Sequence, residues 1–348
     1  MSDTDDRPHP GEDAMKVGVS LFMQNYTDWG RFEGIESGAP LSAPVEADSK
    51  VYADELALGR LVEPLGFDSI WTVEHHFTPY TMVPDPISLL SYFAGCTDSV
   101  EMGTMVVVLP WHDPVRVAEG ISTLDNMLGG RRLNIGLGRG LGRREFGGLR
   151  VPMEESRDRF SEALDVIRAA LRDEWWSYEG THYRVPRTTL RPRPRTDPAV
   201  LIDRMYCAWG SPQTIPIAAQ TGLRALFIPQ TTWEDYAQQM QRFADLRGAA
   251  GFEPAHPTVC VWVYCAPTVE QAEEGARRYI ANYADSARRH YELTSEHFGK
   301  TKGYEHYAEG RERIKSWATV TTLRRCTSTT RCGARPISAS RSSRRSPG

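Results

Sequence analysis

The chain has 348 residues, 40% of them hydrophobic and 25% charged, a globular composition that excludes wholesale disorder. No apolar run approaches the roughly 18 residues needed to span a bilayer, so no membrane partner is expected. Net charge is −4, but residues 324–348 hold seven arginines and no acid, which leaves the preceding body with 34 basic against 45 acidic residues. An acidic body binds polyanions poorly, and no nucleic-acid partner is expected.

Residues 1–14 are polar and acidic, lack the layout of a secretory signal, and are expected to form a disordered leader. Six cysteines with no CxxC pair point to reduced thiols, and a cytoplasmic location is expected. Lys16–Phe22 reads as a buried strand, followed by a polar stretch to Ser49. Apolar spacing predicts a helix over Val51–Leu65, with Gly66 as its stop. The next strand, FDSIWTVEHHF, ends in ionisable side chains. Pro86 opens a helix, VEMGTMVVVLP is a strand, residues 114–128 form a helix, and RRLNIGLGRG is a strand. An amphipathic helix is predicted from Glu154 to Arg172. AVLIDRM, LRALFIPQ and TVCVWVYCAP are the later predicted strands, with helices at 212–221, 232–250 and 268–289.

Apolar strands alternating with helices predict a parallel sheet covered by helices. Seven such strands at this length suit an α/β fold of the (β/α)8 TIM-barrel type, with a doubly wound open sheet as the alternative. In a barrel, the chemistry gathers at the C-terminal ends of the strands, where Glu74, His75 and His76, then His112 and Asp113, then Arg139 all fall. An eighth strand and its helix are missing. The segment after Trp317 is rich in Arg, Ser, Cys, Thr and Pro, as out-of-frame GC-rich DNA would be. The expected organisation is therefore a leader at 1–14, a barrel domain at 15–322 and an aberrant basic tail at 323–348.

Four constellations carry chemistry. In Glu74-His75-His76-Phe77, alternation along the strand sends Glu74 and His76 one way and His75 the other, and a histidine at a pocket mouth can shuttle a proton. No HxH or HExxH spacing is present, so no metal is expected. In Leu133–Gly148, alternating glycines expose backbone to a flat ligand or a phosphate, and Arg139 offers a guanidinium; a basic, Gly-rich loop is expected to follow. Between Trp209 and Thr214, Ser211 and Thr214 stand at a strand-to-helix turn, either as a phosphate cradle or as a plain cap. Met105–Trp111 is a bulky apolar strand end that could back a planar ring.

These segments resemble the bacterial luciferase-like flavin-dependent monooxygenases of the luciferase alpha-subunit type. The resemblance runs from about Met15 to Trp317, through GFDSIWTVEHHFTPY, MGTMVVVLPWHDPVRVAEGISTLDNMLGGR, GLGRG, ESRDRF and, more loosely, SPQTIPIAAQTGL. It implies a barrel holding reduced FMN at its C-terminal mouth. His75 corresponds to the catalytic histidine, Arg139 to the arginine on the FMN phosphate, and Ser211 and Thr214 to hydroxyls around that phosphate. Met105-Val106 corresponds to a non-proline cis peptide against the flavin ring. Gly210 and Asp113 depart from the family pattern, the first where an acidic flavin contact is usual, the second where histidine is common.

The implied activity is FMN-dependent two-component monooxygenation. A flavin reductase supplies reduced FMN, O2 adds to give a flavin hydroperoxide, and a small organic substrate is oxygenated against a wall of Phe22, Tyr26, Phe77, Tyr80 and Trp111, with Trp29 close by. A homodimer through the helices beside strands two and three is implied as well. Alternatives are a deazaflavin-dependent oxidoreductase on the same barrel, a non-catalytic flavin-binding partner subunit, and an inactive truncated product.

Overall fold

A computed structural model describes residues 15–208, 214–228 and 232–309. The expected leader at 1–14 and tail at 323–348 lie outside the described residues. The strands are β1 (Gly18–Leu21), β2 (Ser69–Thr72), β3 (Glu101–Val108), β4 (Leu133–Gly138), β5 (Trp176–Glu179), β6 (Arg184–Thr188), β7 (Met205–Ala208), β8 (Arg224–Phe227) and β9 (Thr258–Val259). The helices are α1 (Trp29–Glu36), α2 (Asp48–Gly59), α3 (Pro86–Ala94), α4 (Pro114–Met127), α5 (Arg143–Leu149), α6 (Ser156–Arg172), α7 (Pro198–Asp203), α8 (Thr214–Gln220), α9 (Trp233–Ala249), α10 (Val269–His290), α11 (His297–Lys300) and α12 (Glu305–Glu309).

Seven strands form one parallel sheet in the order β1-β2-β3-β4-β7-β8-β9, curled into a half-barrel. Among the described residues β1 and β9 do not pair, and a closed eight-stranded barrel is not observed there. β5 and β6, which the sequence reading missed, form a separate antiparallel hairpin. The main core lies between the sheet and its helices, and α6 alone buries Phe160, Ala163, Leu164, Val166, Ile167, Ala170 and Leu171.

Helix starts follow local chemistry. Asp85 accepts from the Ser88 N–H at the start of α3, and Asp113 accepts from the Val115 and Arg116 N–H groups at the start of α4. Asp113 thus has a structural role as a cap with Pro114 behind it. The same chemistry corrects one predicted strand. AVLIDRM is apolar, but Asp197 caps its first turn and Pro198 occupies the first helical position, so the segment forms α7 and the strand follows as β7. The basic segment after Gly142 is likewise α5 rather than a loop. TVCVWVYCAP contributes only Thr258–Val259 to the sheet, and Val261 and Val263 are exposed. Among the described residues β9 pairs with β8 alone, through Thr258 and Val259.

The alternating glycines have a packing cause. A Cβ on Gly136 would overlap the Thr104 carbonyl, and one on Gly138 would overlap the Val106 side chain. Both contacts lie where the β3–β4 register shifts, between Thr104 and Val107, and where the Met105–Val106 peptide is cis. On β3 itself, a Cβ on Gly103 would overlap the indole of the buried Trp71. Gly136→Ala is therefore expected to lower stability by about 2–3 kcal/mol, read from urea unfolding, because the clashing atom is backbone and cannot swing aside.

Candidate functional site

Parallel strands place all their C-terminal ends on one rim, and the ionisable residues after β2, β3 and β4 meet there. Glu74, 1% exposed, follows β2. Its Oε2 accepts from the Val108 N–H at 2.7 Å, and its Oε1 accepts from Nε2 of His76 at 3.1 Å and of His112 at 2.7 Å. Burial pulls the His112 pKa down, but the Glu74 carboxylate outweighs it and the net direction is up. This network ties the β2 end to the β3 end and orients His76 away from His75.

His75 points into a second network. Its Nδ1–H donates to Oε1 of Glu145 at 3.0 Å, and the Tyr291 hydroxyl, 3.1 Å away, donates to its Nε2. The carboxylate on one ring nitrogen and the phenol on the other assign this tautomer. Glu145 is completely buried and also accepts from the His76 backbone N–H at 2.9 Å. Its Oε2 lies 3.3 Å from Nε2 of the equally buried His290. Burial pushes the Glu145 carboxyl up, but His75 and His290 overcome that and hold it down at about 2, so it is anionic. Burial pulls His290 below the usual histidine range. Thr78 Oγ1 lies 2.7 Å from Nδ1 of His290, and Tyr80 stacks on its ring at 4.7 Å. Burial, reinforced by the charge of Glu145, raises the Tyr291 phenol well above its ordinary range, so it keeps its proton.

Arg139 follows β4. Its Nη2 donates to the Gly303 carbonyl at 2.9 Å, and its guanidinium sits 4.0 Å from the centre of the Tyr304 ring. The Tyr304 hydroxyl donates to the Gly140 carbonyl at 2.9 Å and lies 3.0 Å from Ser156 Oγ. Nη1 of Arg139 is buried and has no hydrogen-bond partner among the described residues. Arg157, on α6, lies beside it, and burial together with the Arg139 charge pulls its pKa down. The end of β7 reaches the same place: burial pushes the Cys207 thiol up to about 12, while Arg139 and Arg157 oppose the shift. Two clustered guanidiniums, one with an orphaned buried N–H, fit an anionic oxygen donor such as a phosphate.

The remaining predicted residues divide. Tyr80 joins the His75 side, ring centres 4.9 Å apart, with its hydroxyl 2.7 Å from that of Tyr283. Phe22 meets Tyr283 edge-on, and Tyr26 lies beside it at the surface. Trp29 donates to Ser286 Oγ from beneath α10. Phe77 and Trp111 sit on the His76 side. Trp111 is edge-on to His76 at 5.4 Å and occupies the space a Cβ on Gly140 would need, linking the histidine cluster to the Arg139 loop. Met105 and Val106 are half-buried at the rim. Thr214 opens α8 after β7, and Ser211 lies outside the described residues.

Sequence reading missed Glu145, Arg157, His290 and Tyr291. Glu145 stands 70 residues from His75 and Tyr291 stands 216 from it, so no local motif joins them. Arg157 lies within ESRDRF, a segment that carries the resemblance and reads as helix, with no signal that its guanidinium faces Arg139.

The profile of the family described as luciferase-like monooxygenase matches residues 30–333. The chain belongs to that family. Among luciferase-like relatives, the alkanal monooxygenase alpha chain of Photorhabdus luminescens is 27% identical over 252 residues, 71% of this chain and 68% of that protein. The monooxygenase RslO1 of Streptomyces bottropensis shares the fold with a TM-score of 0.68 at 23% identity, over 87% of this chain and 89% of that one. Two more distant structures with the luciferase-like fold differ in cofactor. One is the oxygenating constituent of a Pseudomonas putida 3,6-diketocamphane monooxygenase in complex with FMN (TM-score 0.61, 17% identity, 79% of each chain). The other is an F420-dependent secondary alcohol dehydrogenase in complex with an F420-acetone adduct (TM-score 0.60, 17% identity, 88% of this chain and 82% of that one).

Glu74 gives a test of the rim's internal wiring. Glu74→Gln keeps the shape but removes the charge that His112 and the Val108 N–H rely on. Stability is expected to fall by about 2 kcal/mol, and the His112 pKa, followed by NMR titration, to move down.

Proposed function

We propose that this luciferase-like monooxygenase is the oxygenating component of a two-component system that takes reduced FMN from a separate reductase and oxygenates a small organic substrate. The Nη1 of Arg139, buried and without a hydrogen-bond partner among the described residues, carries the reading: it belongs to a half-buried guanidinium beside a second arginine, on the same strand-end rim as His75. Reduced FMN, when bound, supplies the electrons that activate O2 for insertion into the substrate. Arg139 and Arg157 would hold its phosphate, with Thr214 at the start of α8 and, as the resemblance implies, Ser211. Met105 and Val106 would back its ring.

The chain's own residues handle the proton. Glu145 fixes the His75 imidazole with its proton on Nδ1, which leaves Nε2 as the basic nitrogen. Tyr291 keeps its phenolic proton and offers it to that nitrogen, so a proton can be held or passed at Nε2 without recruiting bulk water. Phe22, Tyr80 and Tyr283 make the adjoining wall aromatic, which excludes water and suits an apolar substrate. Pairing of two chains through α3 and α4, the helices beside β2 and β3, belongs to the same reading.

The F420 reading is supported by F420-dependent structural neighbours and uses the same arginines, because that cofactor also bears a phosphate. Anaerobic titration with reduced FMN and with reduced F420, followed by air and a substrate panel, separates the two. Oxygen consumption with an oxygenated product from the FMN arm supports the proposal, and hydride exchange confined to the F420 arm overturns it. Absence of both reactions favours the partner-subunit or inactive reading.

His75→Ala is expected to retain FMN binding and lose turnover; unchanged turnover removes His75 from the chemistry. Arg139→Ala is expected to weaken FMN about tenfold or more while leaving riboflavin nearly unchanged, measured by fluorescence titration. Equal weakening of both ligands rules out a phosphate role.

A further inference from the structure

Protons alone leave the His75–Glu145–His290 cluster incompletely satisfied. Nε2 of His290 and Oε2 of Glu145 are both buried and lack a hydrogen-bond partner among the described residues, although only 3.3 Å separates them. The two groups face each other without the alignment a hydrogen bond needs. Each histidine also turns a single ring nitrogen toward this one carboxylate: Nδ1 of His75 at 3.0 Å and Nε2 of His290 at 3.3 Å.

We propose that His75, Glu145 and His290 form a binding site for a divalent transition-metal ion of the zinc class. One donor atom from each residue lies within 4.8 Å of the other two. Metal–ligand bonds of about 2.0–2.2 Å set neighbouring donors roughly 3–3.6 Å apart, so donors within 4.8 Å of one another must draw inward to share one ion. Two imidazoles and one carboxylate suit zinc or cobalt(II) better than magnesium or calcium, which prefer all-oxygen shells.

The groups around the cluster are those a metal site requires. Thr78 Oγ1 holds the far nitrogen of His290 at 2.7 Å, and the Tyr291 hydroxyl holds the far nitrogen of His75 at 3.1 Å. Ligation needs a lone pair on Nδ1 of His75 and on Nε2 of His290. Each proton then moves to the other ring nitrogen, and the facing hydroxyl changes from donor to acceptor, which a hydroxyl does readily. Both rings stay neutral and no proton is left over. Oε1 of Glu145 keeps its 2.9 Å bond from the His76 N–H, so the carboxylate stays aimed while Oε2 turns to the ion.

This site goes beyond the flavin reading and is tested without flavin or turnover. The untagged full-length chain, stripped with a chelator, is titrated with Zn2+ by calorimetry and with Co2+ by visible absorption. One equivalent of Zn2+ is expected to bind, Co2+ to give the d–d bands of a nitrogen-containing site, and Mg2+ not to compete. His290→Ala is expected to abolish binding. Thr78→Val, which keeps all three ligands and serves if His290→Ala does not fold, is expected to weaken Zn2+ about tenfold. No stoichiometric binding by the unaltered chain, equal binding of Mg2+, or unchanged affinity in both variants overturns the proposal.

Discussion

A carboxylate with no solvent exposure must find its compensation inside the protein, and Glu145 draws that compensation from distant segments. The end of β2 supplies His75 and the His76 amide, and the end of α10 supplies His290. The two arginines before it in α5 reach outward: Arg143 pairs with Glu292 beyond α10, and Arg144 with Glu36 at the end of α1. One short helix thus pins three parts of the chain together over the rim. The position and tautomer of His75 depend on that convergence more than on the strand that carries it.

The first four sheet strands and most of the helices were legible because their signals are local: apolar runs bounded by Gly and Pro, and helical spacing as in α6. Reading failed where two local signals competed. AVLIDRM reads as a strand until the Asp197–Pro198 pair before it is weighed as a helix start. RREFGG reads as a loop because of its glycines, yet it forms α5. The half of the site built on strand ends could be named in advance. The half delivered by α5, α6 and α10 could not, since a burial-driven contact across 216 residues leaves no spacing to detect.

The glycines of β4 changed meaning between sequence and structure. Alternate glycines can serve a ligand or a neighbouring strand, and the pattern does not distinguish the two. Here the missing side chains of Gly136 and Gly138 make room for Thr104 and Val106 on β3. The rim is shaped from behind: glycines on one strand let the next come close enough to carry its irregular peptide.

Arg139 is gripped on its flat face by Tyr304 and at one end by the Gly303 carbonyl, which leaves a single edge open. The ring at position 304 thus holds the guanidinium at 139 although 165 positions separate them. A small side chain in place of the ring would take away the surface that keeps the guanidinium from swinging toward solvent, so the entry to α12 governs the aim of a residue at the end of β4.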